Sequence, residues 1–270
     1  MILAGVLGDP VAQSRSPRLH GHWLARHGID GAYLPLRVRA GDLADALRLL
    51  PRMGFAGCNV TIPLKEAALA LADGATDRAR RAGAANTLTF RDGRVEADNT
   101  DGAGFVASLA AGAPCWDREG PALVLGAGGA ARGIVTALLD AGAERVTVAN
   151  RTRARAEALA GAMDARVSVI DWDGREAAAA DHGLLVNTTA LGMAGQAPLH
   201  LSLAGAAPGL VVADIVYAPL ETPLLAQARA RGLQAVDGLG MLLHQAVPGF
   251  EAWFGVRPTV DDALRAAVLG

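Results

Sequence analysis

Cysteine is scarce: only Cys58 and Cys115 occur among 270 residues, and neither has the short-spaced partner that a zinc site or a redox pair needs. That scarcity fits a reducing compartment, and no ligand cluster suggests a metal. Net charge is also nearly absent, at -2 with a pI near 6.3, so no basic field attracts phosphate backbones or anionic headgroups. Neither nucleic acid nor a membrane surface is an expected partner. No apolar run approaches the roughly 20 residues of a membrane span, and the run from Leu210 to Tyr217 is broken by Asp214. The opening MILAGVLGDP has no basic segment ahead of its short apolar stretch, which Gly8, Asp9 and Pro10 interrupt, so it reads as a strand and not as a signal peptide. The expectation is a soluble, cytoplasmic protein.

What the chain does have is enough apolar content to fold throughout, 51% hydrophobic against 19% charged. Its length suits two modest domains with a cleft. Short apolar runs at Ile2 to Leu7, Tyr33 to Val38, Leu123 to Leu125, Val146 to Ala149, Leu184 to Asn187 and Val211 to Val216 read as strands. Ala-, Leu- and Arg-rich helical patterns separate them, with Leu43, Ala46, Leu47 and Leu50 on one helix face and Ile134, Val135, Leu138 and Leu139 on another. The class is therefore α/β with parallel sheets. A Gly-, Pro- and charge-rich stretch from Ala111 to Pro121 reads as the linker ahead of a second domain.

Directly after Leu123-Val124-Leu125 comes GAGGAAR, followed by a helical pattern. Strand, glycine turn and helix in this order match the dinucleotide fingerprint at Gly126, Gly128 and Ala131, with Ala127, Gly129 and Ala130 completing the turn. Gly126 permits the tight turn, Gly128 lets backbone approach a pyrophosphate, and the helix amino terminus faces the anion. The alternative is a tight turn that binds nothing. After the next strand, where NAD-preferring domains often place a carboxylate, the chain presents Asn150-Arg151-Thr152, with Arg155 one helical turn on. Arg151 and Arg155 suit a dianionic 2′-phosphate, which favours NADP over NAD. The alternative is that Arg151, Arg153 and Arg155 form only a solvated helix start.

In the first half, GCNVTIPLK places Lys65 just past a proline that favours a helix start. A helix amino terminus and partial desolvation both disfavour the ammonium form, as proton transfer would require. A lone lysine is more often a surface residue. Asp101 lies in DNTDG, where a strand gives way to a helix, after a hairpin that turns at Asp92-Gly93. It reads as a helix N-cap and, compatibly, as a charge partner for Lys65. Ser14, Ser16, Thr61, Asn86, Tyr217 and Gln245 are hydroxyls and amides suited to a polyol acid, and each taken alone is structural.

The ordered set GVLGDPVAQSRSP, GCNVTIPLK, GAANTL, DNTDGAGF, GAGGAAR, NRT, VYAPLETPLL and DGLGMLLHQA, from Gly5 to Ala246, resembles the shikimate dehydrogenase family. The resemblance implies an α/β substrate domain at residues 1–101 plus 240–270 and a Rossmann-type NADP-binding domain with a parallel sheet at 102–239, joined by a boundary helix at about 102–112. It implies that Ser14, Ser16 and Tyr217 hold a carboxylate, and that Thr61, Asn86, Asp101 and Gln245 address ring hydroxyls. Lys65 then transfers the proton with Asp101 beside it. The cofactor rests on Gly126 to Ala130, on Asn150, Arg151, Thr152 and Arg155, and near Ile215 and Gly238. The implied reaction is reversible NADPH-dependent reduction of 3-dehydroshikimate to shikimate, without a metal. A paralogue acting on quinate or a related cyclic acid, and a catalytically idle ligand sensor, are the competing readings. Gln13, Gly21 and Ala97 depart from the family's usual pattern and bear on substrate preference. The sequence does not set an oligomeric state.

Overall fold

A computed structural model describes residues 1–270. The chain divides into two compact units, Met1–Thr100 with Leu243–Gly270, and Asp101–Leu242. The first unit runs β1 (Ile2–Gly8), α1 (Ser16–Arg26), β2 (Gly31–Arg37), α2 (Leu43–Leu49), β3 (Phe55–Val60), α3 (Lys65–Leu71), β4 (Gly74–Ala75), α4 (Asp77–Ala82), β5 (Thr87–Arg91) and β6 (Arg94–Asp98). The second runs α5 (Asp101–Gly112), β7 (Ala122–Leu125), α6 (Gly129–Ala141), β8 (Val146–Ala149), α7 (Arg153–Gly161), β9 (Val167–Ile170), α8 (Arg175–Ala178), β10 (Leu184–Asn187), β11 (Val211–Asp214), α9 (Pro223–Ala230) and β12 (Gln234–Val236). Helix α10 (Gly238–Phe254) begins in the second unit and ends in the first, which α11 (Asp262–Leu269) completes.

The first sheet has the order β2-β1-β3-β5-β6-β4 and is mixed, not parallel throughout. β1, β2 and β3 are parallel, whereas β5 runs antiparallel to both β3 and β6. β5 and β6 are joined by the hairpin at Asp92 and Gly93, whose φ values of 51° and 74° are those of a tight two-residue turn that reverses the chain. Leu7, Leu43, Leu47, Leu64 and Leu88 fill one core of this unit. Several of the chain's few aromatic side chains gather in a second cluster. There Trp23, Tyr33, Phe250 and Trp253 surround His20, which stacks on Tyr33 with centroids 3.9 Å apart.

The second sheet has the order β12-β11-β10-β7-β8-β9 and is parallel throughout. Its four inner strands, β11, β10, β7 and β8, are buried on both faces, as Val124, Val148, Val186 and Val212 at 0% exposure illustrate, whereas the edge strands β9 and β12 are partly exposed. Counted outward from β7, this is the doubly wound order whose ligand crevice opens at the carboxyl ends of β7 and β10, where the connections diverge. Helix α5 belongs to this unit because Phe105, Leu109 and the following Ala113 join the core of α6. A Cβ on Gly102 would stand 2.4 Å from the Gly133 carbonyl oxygen, so only glycine allows that approach. Residues 113–121 therefore connect α5 to β7 inside the second unit, not between units. No helix is long and apolar enough to cross a membrane, and no group of three or more His, Cys, Asp or Glu side chains is placed to hold a metal ion.

Candidate active site

Lys65 opens α3, half-buried, and its carbonyl oxygen accepts from the Ala85 N–H at 2.9 Å. That bond ties the start of the helix to the segment carrying Asn86. The Asn86 N–H donates to the Asp98 carbonyl at 3.0 Å, and its own carbonyl accepts from Val60 N–H at 2.9 Å, so the residue is pinned between β3 and β6. Asn86 Nδ2 donates to Thr100 Oγ1 at 3.0 Å and to Gln245 Oε1 at 3.1 Å. Asn86 Oδ1 accepts from the Thr100 N–H at 2.8 Å and from Thr87 Oγ1 at 3.0 Å, while Thr100 Oγ1 donates to the Gln245 carbonyl at 2.8 Å. Lys65, Asn86 and Gln245 are thus brought together within the first unit. Asp101 follows Thr100 directly, 8% exposed at the start of α5.

A second group forms at the ends of β1 and β3. Ser16 opens α1, buried, and its N–H donates to Ser14 Oγ at 3.3 Å. The N–H of Asp9 donates to the Ile62 carbonyl at 3.2 Å, joining the Ser14 loop to the Thr61 loop. Gly8 makes the junction possible, since a Cβ there would lie 2.4 Å from Thr61 Cγ2. Beneath this group, Tyr33 Oη donates to Asn59 Oδ1 at 2.7 Å, and Asn59 Nδ2 donates to the Asn86 carbonyl and to Thr87 Oγ1 at 3.0 and 3.1 Å. Burial raises the Tyr33 phenol well above its ordinary range, so it remains a donor. Burial likewise pushes up the Cys58 thiol, fully enclosed in β3, which makes it an inert core residue.

In the second unit Gly126 has φ of 111°, a left-handed value, and donates its N–H to the Ala149 carbonyl at 2.8 Å. Gly128 caps α6 without a side-chain bond, and Cβ atoms built on Gly128 and Gly129 would meet nothing within 4 Å. Helix N–H groups therefore face open space, bordered by Ala127 and Ala130, with no acidic residue in the first turn, which fits a pyrophosphate. Ala131, 0% exposed, lets α6 lie against the sheet. Beyond β8, Asn150 Nδ2 donates to the Thr152 carbonyl at 2.8 Å and sets the loop. Arg153 is engaged by Glu157 at 2.7 Å and Asp171 at 2.6 Å, whereas Arg151 and Arg155 stand exposed outside that pairing. These residues fit a 2′-phosphorylated dinucleotide. Ile215 and Gly238 are neighbours, because a Cβ on Gly238 would stand 2.2 Å from the Ile215 carbonyl oxygen.

Sequence reasoning passed over one buried carboxylate. Asp214, 2% exposed, ends β11 opposite Asn187 at the end of β10. Its Oδ1 accepts from Asn187 Nδ2 and from the Val216 N–H, both at 3.0 Å, and its Oδ2 accepts from Thr222 Oγ1 at 2.8 Å. Burial raises its pKa to about 6, against the opposing effect of these donors. The available signal was a lone charge inside an apolar run. Another signal was missed: Lys65 is the sole lysine among 25 basic residues.

A doubly wound sheet with an open glycine turn at its crevice, in a chain whose other α/β unit ties the helix start at its sole lysine through the backbone to a network of amides and hydroxyls, defines a class of dinucleotide-dependent α/β enzymes. Comparison with known proteins narrows the class. Residues 6–88 match the model of the shikimate dehydrogenase substrate-binding domain, 117–191 that of shikimate/quinate 5-dehydrogenase, and 238–268 that of the shikimate 5′-dehydrogenase C-terminal domain. A shikimate dehydrogenase (NADP(+)) from Acidiphilium cryptum is 66% identical over 266 residues, covering 98% of this chain and 95% of that one. One from Rhodospirillum rubrum is 60% identical over 274 residues, covering 99% and 97%. Among solved structures, shikimate 5-dehydrogenase from Thermus thermophilus in complex with NADP(H) and shikimate is 38% identical with a TM-score of 0.89, covering 100% of this chain and 99% of that one. Quinate dehydrogenase from Corynebacterium glutamicum in complex with NAD is 31% identical with a TM-score of 0.92, covering 99% and 98%. The chain belongs to the shikimate dehydrogenase family.

Proposed function

We propose that this protein is a cytoplasmic enzyme that reversibly reduces 3-dehydroshikimate to shikimate with NADPH, a step toward chorismate and the aromatic amino acids. Bound NADPH supplies the hydride. In this reading residues 1–101 and 240–270 bind substrate and 102–239 bind the cofactor, on Gly126 to Ala130, Asn150, Arg151, Thr152, Arg155, Ile215 and Gly238. Ser14, Ser16 and Tyr217 hold the carboxylate, and Thr61, Asn86, Asp101 and Gln245 meet the ring hydroxyls. Lys65 in its ammonium form stabilises and protonates the alkoxide that develops from the ring carbonyl, while Asp101 orients the amine. In the reverse direction neutral Lys65 takes the hydroxyl proton.

The observation that carries this reading is the bond from Ala85 N–H to the Lys65 carbonyl, which sets the chain's only lysine beside the cluster of Asn86, Thr100 and Gln245. An amine on a fixed helix start next to amides is suited to proton transfer at a polyol ring. The test is ultraviolet measurement of NADPH consumption with 3-dehydroshikimate. Wild-type protein is expected to consume it, and Lys65→Ala is expected to lower kcat by about 10²- to 10⁴-fold. Because no other lysine exists, an amine-acylating reagent can reach only Lys65 and the amino terminus, and substrate is expected to protect activity. Undiminished turnover by Lys65→Ala, or dominant oxidation of quinate with NAD, would overturn the proposal.

A further inference from the structure

We infer that Asp214 is a positioning residue, a buried clamp that holds the two loops leaving β10 and β11 in the shape the reaction needs. The inference rests on the dehydrogenase reading above and adds a residue to it. In a doubly wound sheet, ligands bind outside the carboxyl ends of the strands next to the point where connections diverge. β10 borders that point beside β7, and β11 is the next strand out. The loops after Asn187 and after Asp214 therefore rim the crevice, and the second of them carries Ile215 and Tyr217.

The clamp joins both loops through one carboxylate. Asp214 Oδ1 receives the Val216 N–H within the β11 loop and Asn187 Nδ2 from the end of β10, each at 3.0 Å. Asn187 relays the contact, since its Oδ1 accepts from the N–H and hydroxyl of Thr189 at 3.0 and 2.8 Å and its Nδ2 also donates to the Leu191 carbonyl at 3.1 Å. Asp214 Oδ2 receives Thr222 Oγ1 at 2.8 Å, and that same oxygen accepts from Leu225 N–H as the cap of α9. Residues 215–222 are thus held at both ends by the two oxygens of one side chain. A carboxylate is costly to bury for shape alone, whereas an apolar residue would satisfy none of these donors.

The test compares wild type with Asp214→Ala and Asp214→Asn in steady-state NADPH oxidation, in NADPH binding by fluorescence, and in hydrogen exchange of segments 188–191 and 215–222. Asp214→Ala is expected to lower kcat by about tenfold or more through misplacement of the rim. NADPH affinity is expected to fall by less than kcat does, because of the cofactor residues named above only Ile215 lies in the clamped loop, while the glycine turn, Arg151 and Arg155 lie on other segments. Asp214→Asn keeps an acceptor toward Val216 and Asn187 and is expected to recover most of the loss. Exchange in both loops rises in the alanine variant and not in the asparagine one. Should Asp214→Ala fail to fold, Thr222→Val removes one donor and is expected to lower kcat and quicken exchange in the β11 loop. Wild-type kinetics and exchange in the folded alanine variant, or in Thr222→Val where that variant serves, would overturn the clamp. An alanine variant that loses only thermal stability, or an asparagine variant equally impaired, would do the same. If wild type were inert toward 3-dehydroshikimate, the reading of function would fail, and the exchange measurements would still decide the clamp.

Discussion

The Tyr33 hydroxyl, 2.7 Å from Asn59 Oδ1, determines which way round the Asn59 amide lies. With its oxygen toward Tyr33, the amide must turn its nitrogen to the Asn86 carbonyl and Thr87 Oγ1, and Thr87 in turn supports Asn86 Oδ1. Tyr33→Phe keeps the ring stacked on His20 and removes the hydroxyl that donates to Asn59 and meets Ser16. A buried acceptor left without its partner costs about 1–3 kcal/mol, and here the cost falls on the placement of Asn86 and Gln245. The expected result is a rise of about tenfold in KM for 3-dehydroshikimate, with KM for NADPH unchanged and kcat within about twofold. An unchanged substrate KM would show that Asn59 holds its orientation without Tyr33.

Arg153 is paired with Glu157 and Asp171, so in the proposed function the discrimination between cofactors falls to Arg151 and Arg155. Replacing Arg151 with alanine is expected to raise KM for NADPH by about 10- to 100-fold, the worth of one or two charge-assisted bonds to a phosphate, while leaving NADH kinetics alone. Arg155→Ala should act in the same direction. Arg153→Ala, by contrast, is expected to change neither cofactor's KM by more than about twofold, since exposed ion pairs contribute little. Equal losses from Arg151→Ala and Arg153→Ala would mean that general positive charge, and not a placed guanidinium, attracts the phosphate.

Legibility in the sequence followed apolar contrast. β8 and β10 begin and end at the expected residues, Val146–Ala149 and Leu184–Asn187, because a short apolar or β-branched run marks each, Val-Thr-Val-Ala in the first and Leu-Leu-Val closed by Asn187 in the second. β3 was legible only as a buried strand at Cys58, without bounds, because Gly57 and Asn59 interrupt its apolar pattern, and both are explained only by distant partners. Gly57 makes room for the Trp253 indole, and Asn59 answers Tyr33. The family motifs named the residues of the candidate site, whereas the network beneath them was invisible, since Thr87, Thr100 and Tyr33 become neighbours only when β2, β3, β5 and α10 assemble. Asp214 was visible as a charge out of place, but its meaning lay in Asn187 and Thr222, on two other segments.

His20 supplies a pH dependence. It is 0% exposed, neither ring nitrogen has a hydrogen-bond partner, and burial lowers its pKa to about 3, with Asn59 opposing. The unfolded chain, at about 6.5, binds the proton more readily than the folded one. Stability from this residue is therefore complete above about pH 6.5 and lost as pH falls toward 3, by up to about 4–5 kcal/mol. His20→Phe retains an aromatic ring against Tyr33 and removes the titration. Urea unfolding at pH 7.5, 5.5 and 4.5 is expected to show wild type losing stability faster than the variant on acidification. Parallel curves would place the acid sensitivity elsewhere.

Two glycines in the same chain sit in opposite surroundings, one crowded and one open, and alanine separates them. At Gly57 a Cβ would stand 2.1 Å from Trp253 Nε1 and 2.3 Å from the Leu88 carbonyl, the two atoms that form a 3.0 Å hydrogen bond between α10 and β5. Neither can move without giving up that bond and the aromatic cluster around Trp253. Overpacking of this kind costs about 1–3 kcal/mol or more, so Gly57→Ala is expected to lower the melting temperature by several degrees. At Gly128 a Cβ meets nothing within 4 Å, and the backbone lies at φ -92°, which any residue adopts. Gly128→Ala should therefore melt with the wild type. Its methyl group occupies the space where backbone would approach a pyrophosphate, so KM for NADPH is expected to rise by about tenfold or more. If Gly128→Ala bound NADPH normally, the glycine turn would have to be dropped from the cofactor site, even with the rest of the fold unchanged.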